Sequence, residues 1–131
     1  MNAESNLSHY IAESKNLKDK KFENEVKLSI LSSFTLEGLS ETLIVKCAEK
    51  DIKCKTFVSG YNQYNQEILD EKSQLYKFSS DITFLIIDAR NVLGELFLNP
   101  YSVSVEERKR FVQNKSDEII NLAKTLSLIH I

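Results

Sequence analysis

Apolar residues in this chain fall into short runs divided by charged and amide-rich stretches, and one run, Ile82-Thr-Phe-Leu-Ile-Ile87, carries no charge before it stops at Asp88 and Arg90. Rich in β-branched and aromatic types and without polar alternation, it predicts a strand buried on both faces, the central strand of a parallel sheet. Ligands of open parallel sheets collect beyond the carboxyl ends of the strands, which places Asp88 and Arg90 at a rim. There they either pair with each other and cap nearby loops or face a ligand or partner.

The other elements follow in order. Leu7, Tyr10, Ile11, Leu17 and Phe22 form one narrow apolar stripe on a lysine-rich leading segment, the mark of a helix, or two short ones, on the outside of a domain. Val26–Ser32 predicts a first strand. It turns through Ser33-Phe34-Thr35 into a helix marked by Leu36, Leu39, Leu43 and Cys47, with Thr35 as N-cap and Glu37 in the first turn. The start of that helix offers free backbone N–H groups to an anion, as every such helix does. Lys53–Ser59 alternates and predicts a second strand nearer the sheet edge.

Gly60-Tyr-Asn-Gln-Tyr-Asn-Gln-Glu-Ile-Leu-Asp70 is the most unusual stretch, many donors and acceptors with two stacking faces. It reads as a solvated loop leading into a short helix with Tyr64, Ile68 and Leu69 tucked beneath, or as a recognition loop at the same rim as Asp88. Leu75, Tyr76 and Phe78 form a small apolar cluster, and Val92 to Phe97 a short helix ending near Asn99-Pro100. Ser104-Val-Glu-Glu107 has the capping-box pattern. It opens a long helix with Val112, Ile119, Ile120, Ala123 and Leu126 on one stripe. Leu128-Ile-His-Ile131 predicts a further strand. A strand with no helix after it leaves part of a sheet bare, which implies a longer polypeptide or a second copy as cover.

With 131 residues the chain makes one domain. A net charge of −2 excludes a basic nucleic-acid footprint. Apolar runs are too short for a membrane span, and Met1-Asn-Ala-Glu4 lacks the character of a signal peptide, so a soluble, cytoplasmic protein is expected. Cys47 and Cys54 are too few for a zinc site and read as reduced thiols, Cys47 in the core. His9 and His130 have no ligand partners nearby. No metal and no cofactor are expected.

The order β-α-β-loop-β-α-β fits an α/β three-layer sandwich with a mainly parallel sheet, SGNH- or flavodoxin-like and degenerate or truncated. A receiver domain needs an acidic pair after its first strand, where this chain has Ser32-Ser33-Phe34. An SGNH esterase needs Gly-Asp-Ser there, Gly-x-Asn-Asp after the third strand and a late Asp-x-x-His; this chain has none of them.

Ile30-Leu-Ser-Ser-Phe-Thr-Leu-Glu-Gly-Leu39, Gly60–Asp70, Ser73–Phe78 and Asp81–Arg90, in that order, resemble the N-terminal region of FkbH-type proteins, haloacid-dehalogenase (HAD) superfamily enzymes of subfamily IIIC. The resemblance runs from about Val26 to Leu98. It implies a degenerate SGNH-like domain at 25–131 behind a helical segment at 1–24. In the family this region precedes a phosphatase-like domain, and the whole enzyme loads a glyceryl unit from a phosphorylated three-carbon donor onto an acyl carrier protein for polyketide or tetronate assembly. The family's Asp-x-Asp-x-Thr motif, and with it the magnesium site, is missing from this chain, and Ser32 stands where the family often has glycine.

The expectation is therefore a domain not catalytic alone, docking to the catalytic HAD domain or an acyl carrier protein. Binding is assigned to Ser33, Thr35, Tyr61, Tyr64, Gln66, Asp88 and Arg90. The alternatives are an ester hydrolase using Ser32 or Ser33, which lacks a histidine placed as base, and a self-associating module, possibly a homodimer. Neither nucleic acid nor membrane is expected as a partner.

Overall fold

In the computed structural model, which describes residues 6–129, the strand Asn24–Ser32 (β1) is the middle of a three-stranded sheet, between Ile52–Val58 (β2) and Ile82–Ile86 (β3). Both pairings are parallel, with Leu28 opposite Thr56 on one side and Ile82 on the other. The fold is α/β with an all-parallel sheet flanked by helices.

β1 is central because its second half can be covered on both faces. Leu28, Ile30 and Leu31 are buried, and Ser29 and Ser32 between and after them are small enough to lie under packed helices. The run at Ile82 is an edge strand instead, with Ile82 49% and Phe84 39% exposed. An uncharged run does not say which of its faces a helix will cover. Here Leu39–Ala48 (α2), which links β1 to β2, packs on β2 and donates or accepts a 2.6 Å hydroxyl bond between Ser40 and Thr56. It leaves the same face of β3 bare.

The connection from β2 to β3 crosses β1 on the opposite face through Tyr64–Leu69 (α3) and Gln74–Phe78 (α4). On that face Leu31, Tyr64, Ile68 and Leu75 form the main core with Leu122 and Leu126 of the long helix Val105–Ile129 (α7). Phe57, Tyr76, Leu85 and Ile87 pack at its margin. The stretch around Tyr64 thus supplies core as well as surface. Short helices Ala89–Leu93 (α5) and Glu95–Leu98 (α6) and a 3₁₀ turn at Pro100–Ser102 lead into α7. Its capping box is formed: Ser104 N–H and Oγ–H both donate to Glu107 Oε2 at 2.9 Å, and Glu107 N–H donates back to Ser104 Oγ at 3.2 Å.

Leu7–Asn16 (α1) is a leading helix capped by Asn6, whose Oδ1 accepts from His9 N–H at 3.0 Å, and it packs on α2 without a buried residue of its own. The expected start of α2 at Thr35 is corrected: Gly38 is the N-cap, at φ +77. A side chain there would be strained, and a Cβ would lie 1.7 Å from Leu7 Cδ1. Glycine is what lets α1 close over the start of α2. The strand expected from Leu128 is also corrected at its first two positions, because the helical stripe through Leu122 and Leu126 carries α7 to Ile129; His130 and Ile131 lie outside the described residues.

Cys54 is the buried thiol and Cys47 only half-buried, the reverse of the emphasis expected. Burial, with Cys47 alongside, pushes Cys54 up to about 12. Among the described residues no helix is long and apolar enough to cross a membrane.

Candidate functional site

The chain leaves β1 toward α2 on one face and leaves β3 toward α7 on the other, so the loops after β1 and β3 diverge at a topological switch point, the usual ligand crevice of such sheets. Here the crevice is tied together. Ser33 is fully buried. Its N–H donates to Ile86 O at 3.1 Å, its Oγ accepts from Asp88 N–H at 2.8 Å, and its hydroxyl donates to Asn91 Oδ1 at 3.2 Å. One serine thus brackets the end of β1 to the end of β3 and the first turn of α5.

Asp88 caps α5, its Oδ1 accepting from Arg90 N–H at 2.9 Å. Its carboxylate also receives the Arg90 guanidinium from Nε at 3.0 Å and from the terminal nitrogen at 2.6 Å. The Arg90 side chain beside it, followed by the Arg90 backbone N–H, holds the Asp88 carboxyl below its ordinary range, and Asp88 in turn raises Arg90. Arg90 is 70% exposed and Asp88 21%. Of the two readings of this pair, the geometry carries mutual pairing and capping.

A separate cleft of about 450 Å³ opens on the β1–β2 side of the rim, between the ends of these strands and helices α1 and α2. Ser32, Phe34, Thr35, Glu37, Ser40, Glu41, Ser59 and Tyr61 line it. Ser32 Oγ accepts from Phe34 N–H at 3.1 Å, and Ser32 N–H donates to Ser59 Oγ at 3.4 Å, which fixes the floor. Thr35 is exposed, and Tyr61 is 63% exposed. Leu7, Ile11, Leu36 and Val58 make much of the remaining wall apolar, and both charged groups on it are carboxylates, so the cleft disfavours phosphate.

The seven candidate residues therefore occupy four places. Thr35 and Tyr61 share the cleft, while Ser33, Asp88 and Arg90 belong to the bracket. Tyr64 is in the core, and Gln66 lines a shallow depression with Asn65, Leu69 and Asp70 on α3. Asn91, Ser59 and Glu41 lie outside the seven, and Glu37, expected in the first turn of α2, lines the cleft instead. Asn91 in the first turn after a capping aspartate, and Ser59 at the carboxyl end of β2, were the available signals.

Among the described residues no group of three or more His, Cys, Asp or Glu side chains is placed to hold a metal ion. His9 stands on α1, its ring edge-on to that of Tyr10.

No family model and no curated protein matches the chain. Its fold is similar to a crystal structure of the N-terminal part of the protein BF1531 from Bacteroides fragilis, which contains a phosphatase domain and was complexed with Mg. The TM-score is 0.67 at 17% sequence identity, over 86% of this chain and 30% of that one. At such an identity the likeness is one of fold, and the chain spans under a third of the length of the solved one.

Proposed function

We propose that this chain is a non-catalytic accessory or docking domain of an FkbH-type, HAD-superfamily protein, serving a phosphatase-like domain linked to glyceryl transfer onto an acyl carrier protein in polyketide-type biosynthesis. The observation that carries the non-catalytic part is Ser33. With Ser32 at the glycine position, Phe34 stands where an SGNH-like fold would offer its nucleophile, and the neighbouring hydroxyl, Ser33, is fully buried and committed to Asp88 and Asn91. A nucleophile needs a base within hydrogen-bond reach and an open approach, and Ser33 has neither. The likeness to a chain containing a phosphatase domain supports the parentage, at the level of fold.

The surface left for recognition is the cleft around Tyr61 and Phe34, where a tyrosine supplies rigid contact area at low entropic cost. Because the cleft is acidic and Arg90 is engaged by Asp88, contact with a protein surface is favoured over capture of a carrier's phosphate group.

The test is a titration of labelled protein with an FkbH-type phosphatase-like domain and, separately, with phosphopantetheinylated carrier protein. Wild type should bind the phosphatase-like domain more tightly, and Tyr61→Ala should weaken it severalfold with the melting temperature retained. Binding of neither protein by wild type overturns the docking role and leaves self-association as the better account.

A further inference from the structure

The two cysteines of the chain meet at one contact. Cys47 stands in the last turn of α2 and Cys54 near the start of β2, with only residues 49–51 between the two elements. That turn is tight: Lys50 N–H donates to Cys47 O at 2.9 Å, Asp51 N–H donates to Ala48 O at 3.0 Å, and Asp51 is left-handed at φ +59. Farther along the same contact, Ser40 and Thr56 share a hydroxyl bond of 2.6 Å. Side chains that short keep their backbones within about 7 Å of each other, so α2 lies low on β2. From Ser40, two helical turns lead to Cys47 on the same face of α2, and from Thr56, two residues back lead to Cys54 on the same face of β2. The register sets one thiol over the other. Burial first, and the adjoining Cys47 second, push the Cys54 thiol up to about 12.

A disulfide spans about 4.4–6.8 Å between α-carbons. The Ser40–Thr56 end of the contact lies at the limit of that reach, and the cysteine end lies beside the turn that joins the two elements. The thiols differ in access. Cys47 is half-buried and Cys54 buried, but a cleft of about 410 Å³ between α1, α2 and β2 reaches Cys54, walled by Leu17, Phe22, Ile44 and Ile52. Solvent therefore has a path to the inner sulfur as well as to the outer one.

We propose that Cys47 and Cys54 are an oxidisable dithiol, the site at which a small disulfide is reduced and an internal Cys47–Cys54 disulfide is formed. Cys47, the more accessible thiol, gives its proton to water, and its sulfur attacks one sulfur of the small disulfide. That S–S bond breaks, and the first small thiol leaves with a proton from solvent. Cys54 then releases its proton to solvent through the cleft, and its sulfur attacks Cys47 Sγ and expels the second small thiol, which also takes up a proton. Two electrons pass from the cysteines to the small disulfide, which departs as two thiols. The new bond staples the last turn of α2 to β2. The site goes beyond the docking reading and does not rest on it.

The test is equilibration of the full chain with mixtures of reduced and oxidised glutathione, folded and in concentrated urea, followed by alkylation and mass spectrometry. Oxidised folded protein should be lighter by about 2 Da than the reduced chain. Trypsin cuts at Lys50 and Lys53, between the cysteines, so the two should be recovered in one species only because they are joined. A fold that holds the thiols together favours their bond, and half-oxidation should come in a mixture at least tenfold more reducing for the folded protein than for the unfolded chain. Cys54→Ala should leave Cys47 as a stable mixed disulfide with glutathione, and Cys47→Ala should leave Cys54 unmodified. Three results from wild type alone overturn the site: a mixed disulfide that accumulates without the internal bond, a bond between chains in its place, or half-oxidation at the same mixture folded and unfolded. Ready glutathione addition to Cys54 in folded Cys47→Ala overturns the assigned order of attack.

Discussion

β1 and β3 are neighbours in one sheet, and both end at the rim, yet they are held in opposite ways. β1 carries Lys27, Ser29 and Ser32, and its last five residues are buried. β3 carries no charged residue, and its burial alternates with exposed Ile82 and Phe84. Position in the sheet, not apolarity, sets burial: helices lie over both faces of β1 and over one face of β3. The polar atoms that β1 takes inside are bonded with one exception. Ser29 Oγ, in the middle of the strand, has no hydrogen-bond partner among the described residues, a cost of about 1–3 kcal/mol that the surrounding burial offsets.

That contrast is sharpest at Leu31. Leu31→Ala removes a fully buried side chain from the main core and should destabilise by about 2–5 kcal/mol in chemical denaturation. A cost under about 1 kcal/mol would mean that the core is not centred on β1. Next in size is Ser33→Ala, which leaves the Asp88 N–H and Asn91 Oδ1 without their partner at the junction of the two strands. A loss of about 1–3 kcal/mol is expected; no loss would show that the bracket does not join β1 to β3. Phe84→Ala, on the bare face of the edge strand, should cost less than about 1 kcal/mol, and a cost equal to that of Leu31→Ala would erase the difference between the strands.

The smallest effect is one of pH. The Ser104 backbone N–H, then its hydroxyl, holds the Glu107 carboxyl below its ordinary 4.5. A depressed carboxylate contributes stability that is present above pH 4.5 and lost as pH falls through the lower folded-state value. The melting-temperature gap between wild type and Glu107→Gln should therefore narrow below that pH. A gap that stays constant through the acid range would show that the capping box at the head of α7 is not held by charge.

Much of the fold was legible from pattern alone. Val26–Ser32, the helix through Leu43 and Cys47, the strand from Lys53, and the Ser104–Glu107 box all lie in the elements they predicted. What pattern could not supply was strand order, because a run such as Ile82–Ile87 looks the same whether helices cover one face or two. Nor could it supply the start of α2. Thr35 has the chemistry of an N-cap, but Gly38 has the left-handed conformation and the clearance that Leu7 demands from a distant segment. At the rim, residue types were readable and their grouping was not. Asp88 and Arg90, two positions apart, pair locally, whereas the partners of Ser33 lie 55 and 58 residues away. Tyr61 and Tyr64, three positions apart at the start of a helix, take opposite fates because one turn aims Tyr64 into the core cluster and leaves Tyr61 on the cleft.

The claim that the switch point is tied shut, and that this domain binds rather than catalyses, is tested most directly by turnover. Wild-type protein incubated with short-chain nitrophenyl esters and with phosphate esters should hydrolyse neither above background, since Ser33 is buried and its hydroxyl is held by Asn91. Saturable ester hydrolysis that disappears in a folded Ser33→Ala variant would contradict the account.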